Sequence, residues 1–258
     1  MTSNYTRTGT DLDSILITQT NKNAMPPAFR KSGPNSIWGQ FGYAWGWGDT
    51  GINSGYPDYV ETIYSAPTVI STTGWIDCSI GSTHSLWIDY ENKLYVAGMP
   101  PSFGETAGVA TTNTLQSPAQ VGSLTNWSKV SAGYYISSAI KTDGTLWTWG
   151  LNNYYQLGDG TFTIRSSPVQ IGTLTTWASI AAGYRHMMAI KTDGTLWTWG
   201  YNAYGELGLG DIVHRSSPVQ VGALTTWSKV SAGVYYSLAV KTDGTLWAWG
   251  NNDNGQVS

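Results

Sequence analysis

The residues best able to do chemistry in this sequence are three histidines, one cysteine and a set of aspartates in repeated turns. His84 and His186 occupy equivalent positions of a repeated pattern, where other copies carry Ile136 and Tyr236. A zinc site needs three or four converging His or Cys ligands, and three histidines with the single Cys78 supply no spaced set. We therefore predict packing and hydrogen-bonding roles for His84 and His186, and no metal site.

The repeated carboxylates Asp143, Asp193 and Asp243 each precede a glycine. An Asp-Gly pair between two apolar runs is a strong hairpin signal, because Gly accepts positive φ and Asp bonds its own turn. These residues lie a whole repeat apart, which does not suit the paired carboxylates of glycoside hydrolysis. Serine hydrolase, metalloprotease and phosphate-loop signatures are absent from the sequence. The sequence therefore predicts a non-enzymatic protein with no catalytic residues and no cofactor.

The amino-acid composition of the chain limits the classes of partner that it is expected to bind. Only 11% of the 258 residues are charged, against about 25% in an average soluble protein, and the net charge is −3. No basic run is present, which argues against nucleic-acid binding by counterion release. The first residues do not form a secretory signal, and no apolar stretch reaches the roughly 18 residues of a membrane span. We expect no nucleic-acid partner and no membrane insertion.

One ten-residue stretch occurs three times in the sequence, the third time with one change. KTDGTLWTWG begins at Lys141 and again at Lys191, and it returns as KTDGTLWAWG at Lys241. The 50-residue units that begin at Lys141 and Lys191 are identical at 29 positions, so the chain contains a tandem repeat. Weaker copies are NKLYVAG at 92–98 and YAWGWG at 43–48. We predict four full units, preceded by a separate leader.

Each unit is predicted to contain four short strands. Side chains alternate across a strand, so Trp147 and Trp149 share one face while Leu146 lies on the other. Apolar bulk on both faces implies a sheet covered on both sides. Four strands in about 50 residues are typical of a propeller blade, whose faces are buried by neighbouring blades. Packing positions are assigned to ten tryptophans: Trp75, Trp127, Trp147, Trp149, Trp177, Trp197, Trp199, Trp227, Trp247 and Trp249.

The elements W-x-x-V-x-A-G, K-T-D-G-T-L-W-x-W-G and N-x-x-x-x-L-G closely resemble the regulator of chromosome condensation repeat. The resemblance covers roughly residues 43–258. It implies a β-propeller, usually of seven blades. It implies little about activity, because relatives include a nucleotide exchange factor, an enzyme inhibitor and a plant light sensor, and a shared fold does not determine function.

We therefore predict an all-β, propeller-like array of four to five blades at 37–258, preceded by an extended or partner-docked arm at 1–36. The simplest closure hypothesis is that APTVIS at 66–71 completes the last blade, where a SPVQ-type strand would otherwise follow. However, AWGWG at 44–48 competes for the place of LWAWG at 246–250. This surplus strand favours an open arc or a blade shared between subunits, and hence a homo-oligomer.

The arm is polar apart from Ile15, Leu16 and Ile17, which we predict to contact a partner. Its opening, NYTRTGTDLDSIL, is similar to the starts of small structural proteins of tailed phages of cyanobacteria and other marine bacteria. We therefore expect a virion structural protein (tail, fibre or capsid surface), assembled in the host cytoplasm. Its partners would be other virion proteins or a host surface receptor. The alternative is a soluble protein- or glycan-binding module; a guanine-nucleotide exchange factor is less favoured.

Candidate recognition residues on the propeller lie in the loop that follows the Trp-Gly strand, because this loop differs between copies. They are Asn153, Tyr154, Tyr155 and Tyr204. Variable loops on a rigid scaffold are where binding residues concentrate.

Overall fold

The computed structural model describes residues 29–31, 37–39, 44–49, 63–71, 74–98, 108 and 115–257. Every regular element in this part of the chain is a β-strand. No helix long and apolar enough to cross a membrane occurs in it. The first four strands form two antiparallel pairs: β1 (Phe29–Lys31) with β2 (Ile37–Gly39), and β3 (Ala44–Asp49) with β4 (Ile63–Ser71).

Four antiparallel sheets, the blades, follow in chain order. Blade 1 contains β5 (Trp75–Ile80), β6 (His84–Asp89), β7 (Leu94–Gly98) and β8 (Leu115–Gln120). Blade 2 contains β9 (Trp127–Ala132), β10 (Ile136–Lys141), β11 (Leu146–Gly150) and β12 (Arg165–Gln170). Blade 3 contains β13 (Trp177–Ala182), β14 (His186–Lys191), β15 (Leu196–Gly200) and β16 (Arg215–Gln220). Blade 4 contains β17 (Trp227–Ala232), β18 (Tyr236–Lys241) and β19 (Leu246–Gly250).

The predicted all-β array of four repeats is confirmed, but the strand-exchange hypothesis is wrong. APTVIS lies within β4, and β4 pairs with β3, with Gly46 opposite Thr68. Among the described strands, β19 pairs only with β18. The pairing of β3 with β4 closes a short loop, whereas pairing with β19 would join distant parts of the chain at a larger entropic cost.

The blades are held together by the tryptophan that begins each inner strand. Trp127 is 1% exposed and lies in one apolar cluster with Leu86 and Leu94 of blade 1. Trp177 and Trp227 occupy the same position against blades 2 and 3. Each indole therefore covers the face of the preceding blade, which explains why this residue returns in every unit.

The side chains of the repeated KTDGTLW motif are connected by hydrogen bonds and cation–π contacts. In blade 2, Trp147 Nε1 donates to Thr145 Oγ1 (2.9 Å), and Thr145 Oγ1 donates to Asp143 Oδ1 (2.7 Å). Lys141 Nζ lies 3.7 Å from the ring centroid of Trp147 and 5.0 Å from that of Trp127. The aspartate is thus occupied by turn and side-chain hydrogen bonds, and the lysine lies over two indoles whose planes are nearly perpendicular.

The same lysine contacts recur in the next two blades. Lys191 Nζ lies 3.4 Å from the centroid of Trp197, and Lys241 Nζ lies 3.8 Å from that of Trp247. Burial lowers the pKa of Lys191, because removal from water penalises its charge. The cation–π contacts offset part of this cost. The Lys, Asp, Thr and Trp of this motif contact one another, so substitution of one of them removes a contact made by another.

Glycines in the turns permit close contact between blades. Gly144 has φ +78°, and a Cβ built on it would lie 2.2 Å from the carbonyl oxygen of Thr175, which precedes the next blade. Gly244, at the same position of blade 4, has φ +86° and nothing within 4 Å of such a Cβ. Both glycines adopt a positive φ, but only Gly144 lies against another residue, Thr175.

We expect Gly144→Ala to destabilise the protein more than Gly244→Ala. Both substitutions place a side chain in the left-handed region, at a cost of about 1–2 kcal/mol. Only Gly144→Ala also collides with Thr175, which adds about 1–3 kcal/mol of overpacking. Urea unfolding followed by tryptophan fluorescence measures both values. Equal destabilisation by the two variants would contradict the blade contact described here.

Candidate functional site

The loops that follow the first and third strands of a blade lie at the same end, because the antiparallel second strand runs back between them. Backbone hydrogen bonds join these loops. Leu151 N donates to Tyr135 O (2.8 Å), and Tyr201 N donates to Arg185 O (2.9 Å). The two sets of loops therefore form one continuous surface across blades 2, 3 and 4.

Aromatic side chains dominate this end of the array. Tyr134, Tyr184 and Tyr235 follow the inner strands, whereas Tyr154, Tyr201 and Tyr204 follow the third strands. We call these six residues, together with Arg185 and His214, the tyrosine surface.

The rings form a chain of edge-to-face and tilted contacts between blades. Tyr134 and Tyr184 have centroids 4.4 Å apart, and Tyr184 and Tyr235 have centroids 5.5 Å apart. Tyr204 lies 5.1 Å from Tyr235 and is 49% exposed, while Tyr201 lies 4.7 Å from His214. Contacts of this kind fix ring positions beyond simple burial. The surface is therefore aromatic, preorganised and open to solvent.

Arg185 lies among these rings. Its guanidinium carbon is 4.4 Å from the ring centroid of Tyr154 and 4.6 Å from that of Tyr184, and its Nη2 donates to Tyr184 Oη (3.2 Å). Within the described ranges, the ion pairs are Lys93–Glu91, Arg165–Asp159 and Arg215–Asp211. Arg185 takes part in none of these described ion pairs, and its guanidinium lies against the faces of two tyrosine rings.

Buried polar residues hold the loops of the tyrosine surface in place. Asn202 Nδ2 donates to the carbonyl oxygens of Asp211 and Val213, and Asn202 Oδ1 accepts from Leu207 N (2.9 Å). Glu206 is fully buried, and its Oε2 accepts from Tyr204 N (2.9 Å). Burial raises the pKa of Glu206. Loops fixed in this way lose little entropy on binding.

The two predicted packing histidines lie beneath this region as bridges between blades. His84 Nε2 is 2.8 Å from Ser137 Oγ, and His186 Nε2 is 2.9 Å from Ser237 Oγ. A serine beside a histidine is the arrangement of an activated nucleophile, but both serine side chains are 0% exposed. No substrate reaches them. The described residues also contain no cluster of three His, Cys, Asp or Glu side chains able to hold a metal ion.

The predicted recognition residues lie in different settings. Tyr154 and Tyr204 belong to the tyrosine surface, whereas Tyr155 packs on Phe162 with centroids 3.9 Å apart. Asn153 is exposed in the same loop. Ile15, Leu16 and Ile17 lie outside the described residues. Of the ten predicted packing tryptophans, six are buried, Trp147, Trp197 and Trp249 are partly buried, and Trp247 is 46% exposed.

The sequence-based prediction missed the residues that follow the inner strands. Tyr134, Tyr184, Arg185 and Tyr235 lie immediately after the repeated Ala-Gly pair, where successive copies read Tyr-Tyr, Tyr-Arg and Val-Tyr. The change of residue type directly after a repeated Ala-Gly pair was the sequence feature that could have identified these residues. It pointed to the same end of the blades as the loops that were predicted.

Two models of the Regulator of chromosome condensation (RCC1) repeat match the chain. One matches residues 143–190 and 193–240, and the other matches 127–156, 177–206 and 227–256. The matches together extend from residue 127 to residue 256, half of the chain. The chain belongs to the RCC1 repeat family.

RCC1-repeat relatives are longer than this chain. The Regulator of chromosome condensation of Xenopus laevis is 31% identical over 90 residues, which are 35% of this chain and 21% of that protein. The Ultraviolet-B receptor UVR8 of Arabidopsis thaliana is 30% identical over 123 residues, 46% of this chain and 27% of the receptor.

Solved structures show the RCC1 fold for most of the chain. Yeast RCC1 (Prp20), solved bound to Kap60, superposes with a TM-score of 0.71 at 22% identity, covering 82% of this chain and 52% of the yeast chain. A second structure of Prp20p, from Saccharomyces cerevisiae, gives a TM-score of 0.69 at 23% identity, covering 81% and 54%. The chain therefore spans about half the length of these two propeller proteins.

We expect the protein to lose stability as the pH falls from 6.5 to 4. Burial lowers the pKa of His84 and His186 from 6.5 to about 4. Between pH 6.5 and pH 4 these histidines are therefore protonated in the unfolded chain but neutral in the native state. By pH 4 this difference lowers the free energy of unfolding by about 3 kcal/mol per histidine. Asp77, whose pKa burial raises to about 6, and Glu206, whose pKa burial also raises, oppose this trend. Thermal unfolding at several pH values measures the slope.

The matched control is the double variant His84→Gln and His186→Gln, in which an amide keeps a hydrogen-bonding group beside each serine. Its unfolding midpoint should vary less with pH over the same range. A double variant with the native slope would show that other groups cause the acid sensitivity.

Proposed function

We propose that this RCC1-repeat chain is a non-enzymatic protein-binding module whose partner contacts the tyrosine surface. The observation that carries the proposal is the set of six tyrosines arranged around Arg185, which has no ion-pair partner among the described residues. Tyr and Arg are enriched at the energetic centres of protein interfaces.

The physical properties of the surface suit protein recognition. Tyrosine offers a large contact area with few rotatable bonds, so little conformational entropy is lost on binding. The loops are tied down by Asn202 and Glu206, and the rings contact each other. A partner that covered Arg185 with a carboxylate would pair the charge in a partly dry, aromatic setting, where such a contact is stronger than in water.

The RCC1-type relatives support protein partners in general. The structures similar to this chain include yeast RCC1 bound to Kap60 and a Prp20p structure reported with its binding properties to Gsp1p and histones. Since the chain spans about half of those proteins, these particular partners are not assigned to it.

The virion assignment is a narrower form of the same proposal. In it, the propeller is a tail, fibre or capsid-surface component that meets other virion proteins or a host receptor. It rests on the arm at 1–36, most of which lies outside the described residues, and it stays a prediction.

The proposal predicts contact-dependent cross-linking at the tyrosine surface. A photoreactive phenylalanine analogue placed at Tyr204 should form adducts with a protein from the native source. The same analogue at Tyr90 is the control, because Tyr90 is 59% exposed and follows the second strand of its blade, at the opposite end. Arg185→Ala in the Tyr204 background should reduce the adduct about ten-fold or more, as loss of an interface hot spot of at least 2 kcal/mol would.

Equal adducts at Tyr204 and Tyr90, or adducts unaffected by Arg185→Ala, would contradict the proposal. Binding of a free oligosaccharide that abolishes the adduct would instead favour the glycan-binding alternative. Arg185→Ala also removes the cation–π contacts with Tyr154 and Tyr184 and the hydrogen bond to Tyr184, at a cost of about 1 kcal/mol. Its unfolding midpoint should therefore fall by only a few degrees, and the cross-linking is compared at a temperature well below both midpoints.

A further inference from the structure

Blade 3 differs from blade 2 by two basic residues at the end that carries the tyrosine surface. Where blade 2 has Tyr135 and Ile164, blade 3 has Arg185 and His214. The sequence around these positions is otherwise repeated, since RSSPVQ follows Ile164 and His214 alike. The difference in charge between the two blades therefore falls on the tyrosine surface.

Arg185 and His214 lie against the same two tyrosine rings. The guanidinium carbon of Arg185 is 4.4 Å from the ring centroid of Tyr154 and 5.9 Å from that of Tyr201. The ring centroid of His214 is 6.3 Å and 4.7 Å from the same two centroids. All four side chains are half-buried, so each keeps some contact with solvent. A ligand that lies over Tyr154 and Tyr201 can therefore contact both basic residues.

The guanidinium of Arg185 offers hydrogen-bond donors from a restrained position. A guanidinium carries five N–H groups, and in the described part of the chain Arg185 forms one side-chain hydrogen bond, from Nη2 to Tyr184 Oη (3.2 Å). The rings of Tyr154 and Tyr184 limit its movement. A planar guanidinium held in this way matches the two oxygens of a carboxylate and loses little freedom on binding it.

The tautomer of His214 follows from its own hydrogen bond. Asn202 N donates to His214 Nδ1 (3.0 Å), so Nδ1 is the acceptor and the neutral ring carries its hydrogen on Nε2. Asn202 is fully buried and donates to the carbonyl oxygens of Asp211 and Val213. His214 thus offers an N–H donor on a loop that is held in place, whereas Ile164 of blade 2 offers none.

We propose that Arg185 and His214 bind an acidic peptide segment, in which a carboxylate pairs with Arg185 and a neighbouring peptide carbonyl accepts from His214 Nε2. The segment belongs to the protein partner of the tyrosine surface, so its identification rests on the proposed function. Arg185 supplies one positive charge, which matches the single charge of a carboxylate. A phosphate monoester carries about −1.5 to −2 charges near neutral pH, and its second charge would stay unpaired among aromatic rings.

The probes are three capped peptides titrated into the full 258-residue chain. Acetyl-Gly-Glu-Gly-amide carries a side-chain carboxylate, acetyl-Gly-Gly-Gly carries a terminal carboxylate, and acetyl-Gly-Gln-Gly-amide carries neither. NMR signals of the Arg185 and His214 side-chain nitrogens report binding. We expect millimolar dissociation constants for a carboxylate peptide and at least about ten-fold weaker binding of the Gln peptide. The tighter of the two carboxylate peptides identifies the source of the carboxylate, and inorganic phosphate should bind more weakly than that peptide.

The matched variants are Arg185→Tyr and His214→Ile, because Tyr135 and Ile164 occupy these positions in blade 2. Arg185→Tyr should abolish the preference for the Glu peptide over the Gln peptide. His214→Ile should keep this preference and weaken both peptides about three- to ten-fold, since it removes a donor to a carbonyl that both contain. The control is Lys229→Ser, which removes an exposed charge from β17 and should leave binding unchanged.

Three results would overturn the carboxylate site: no preference of the native protein for a carboxylate peptide over the Gln peptide, tighter binding of phosphate than of both carboxylate peptides, or an unchanged preference in Arg185→Tyr. A carboxylate preference without a protein adduct at Tyr204 would keep this site and reject the proposed function. An adduct at Tyr204 without a carboxylate preference would keep the proposed function and reject this site.

Discussion

The structure depends on one contact that is repeated between blades: the indole at the start of each inner strand against the face of the preceding blade. Trp127, Trp177 and Trp227 are each at most 5% exposed, and indoles of this size dominate the apolar burial of any core. A flat four-stranded sheet cannot bury its own faces, so each blade is stable only with a neighbour. The lysine that stacks on the same indole adds a cation–π contact of about 1 kcal/mol, which explains a charged residue at a buried position.

This constraint separates packing residues from recognition residues. In blades 2 to 4 the residues between blades meet nearly identical surroundings, so Lys, Asp, Thr and Trp return unchanged there. The ends of the strands meet solvent, and there the copies diverge to Tyr-Tyr, Tyr-Arg and Val-Tyr. The tyrosine surface therefore lies where the sequence can change without disturbing the indole contacts between blades. Binding function can develop there while the indole contacts remain intact.

The fold was predictable from the sequence to the extent that its causes are local or periodic. The Asp-Gly turn at Asp143 and the alternation of Trp147 with Leu146 describe a hairpin within one unit, and periodicity extends it to four blades. The tyrosine surface was only half predictable, because Arg185 meets Tyr154 through two loops that are distant in sequence. Strand exchange was predicted wrongly for a related reason: β4 resembles a fourth strand, but similarity of sequence does not say which of two possible partners is nearer.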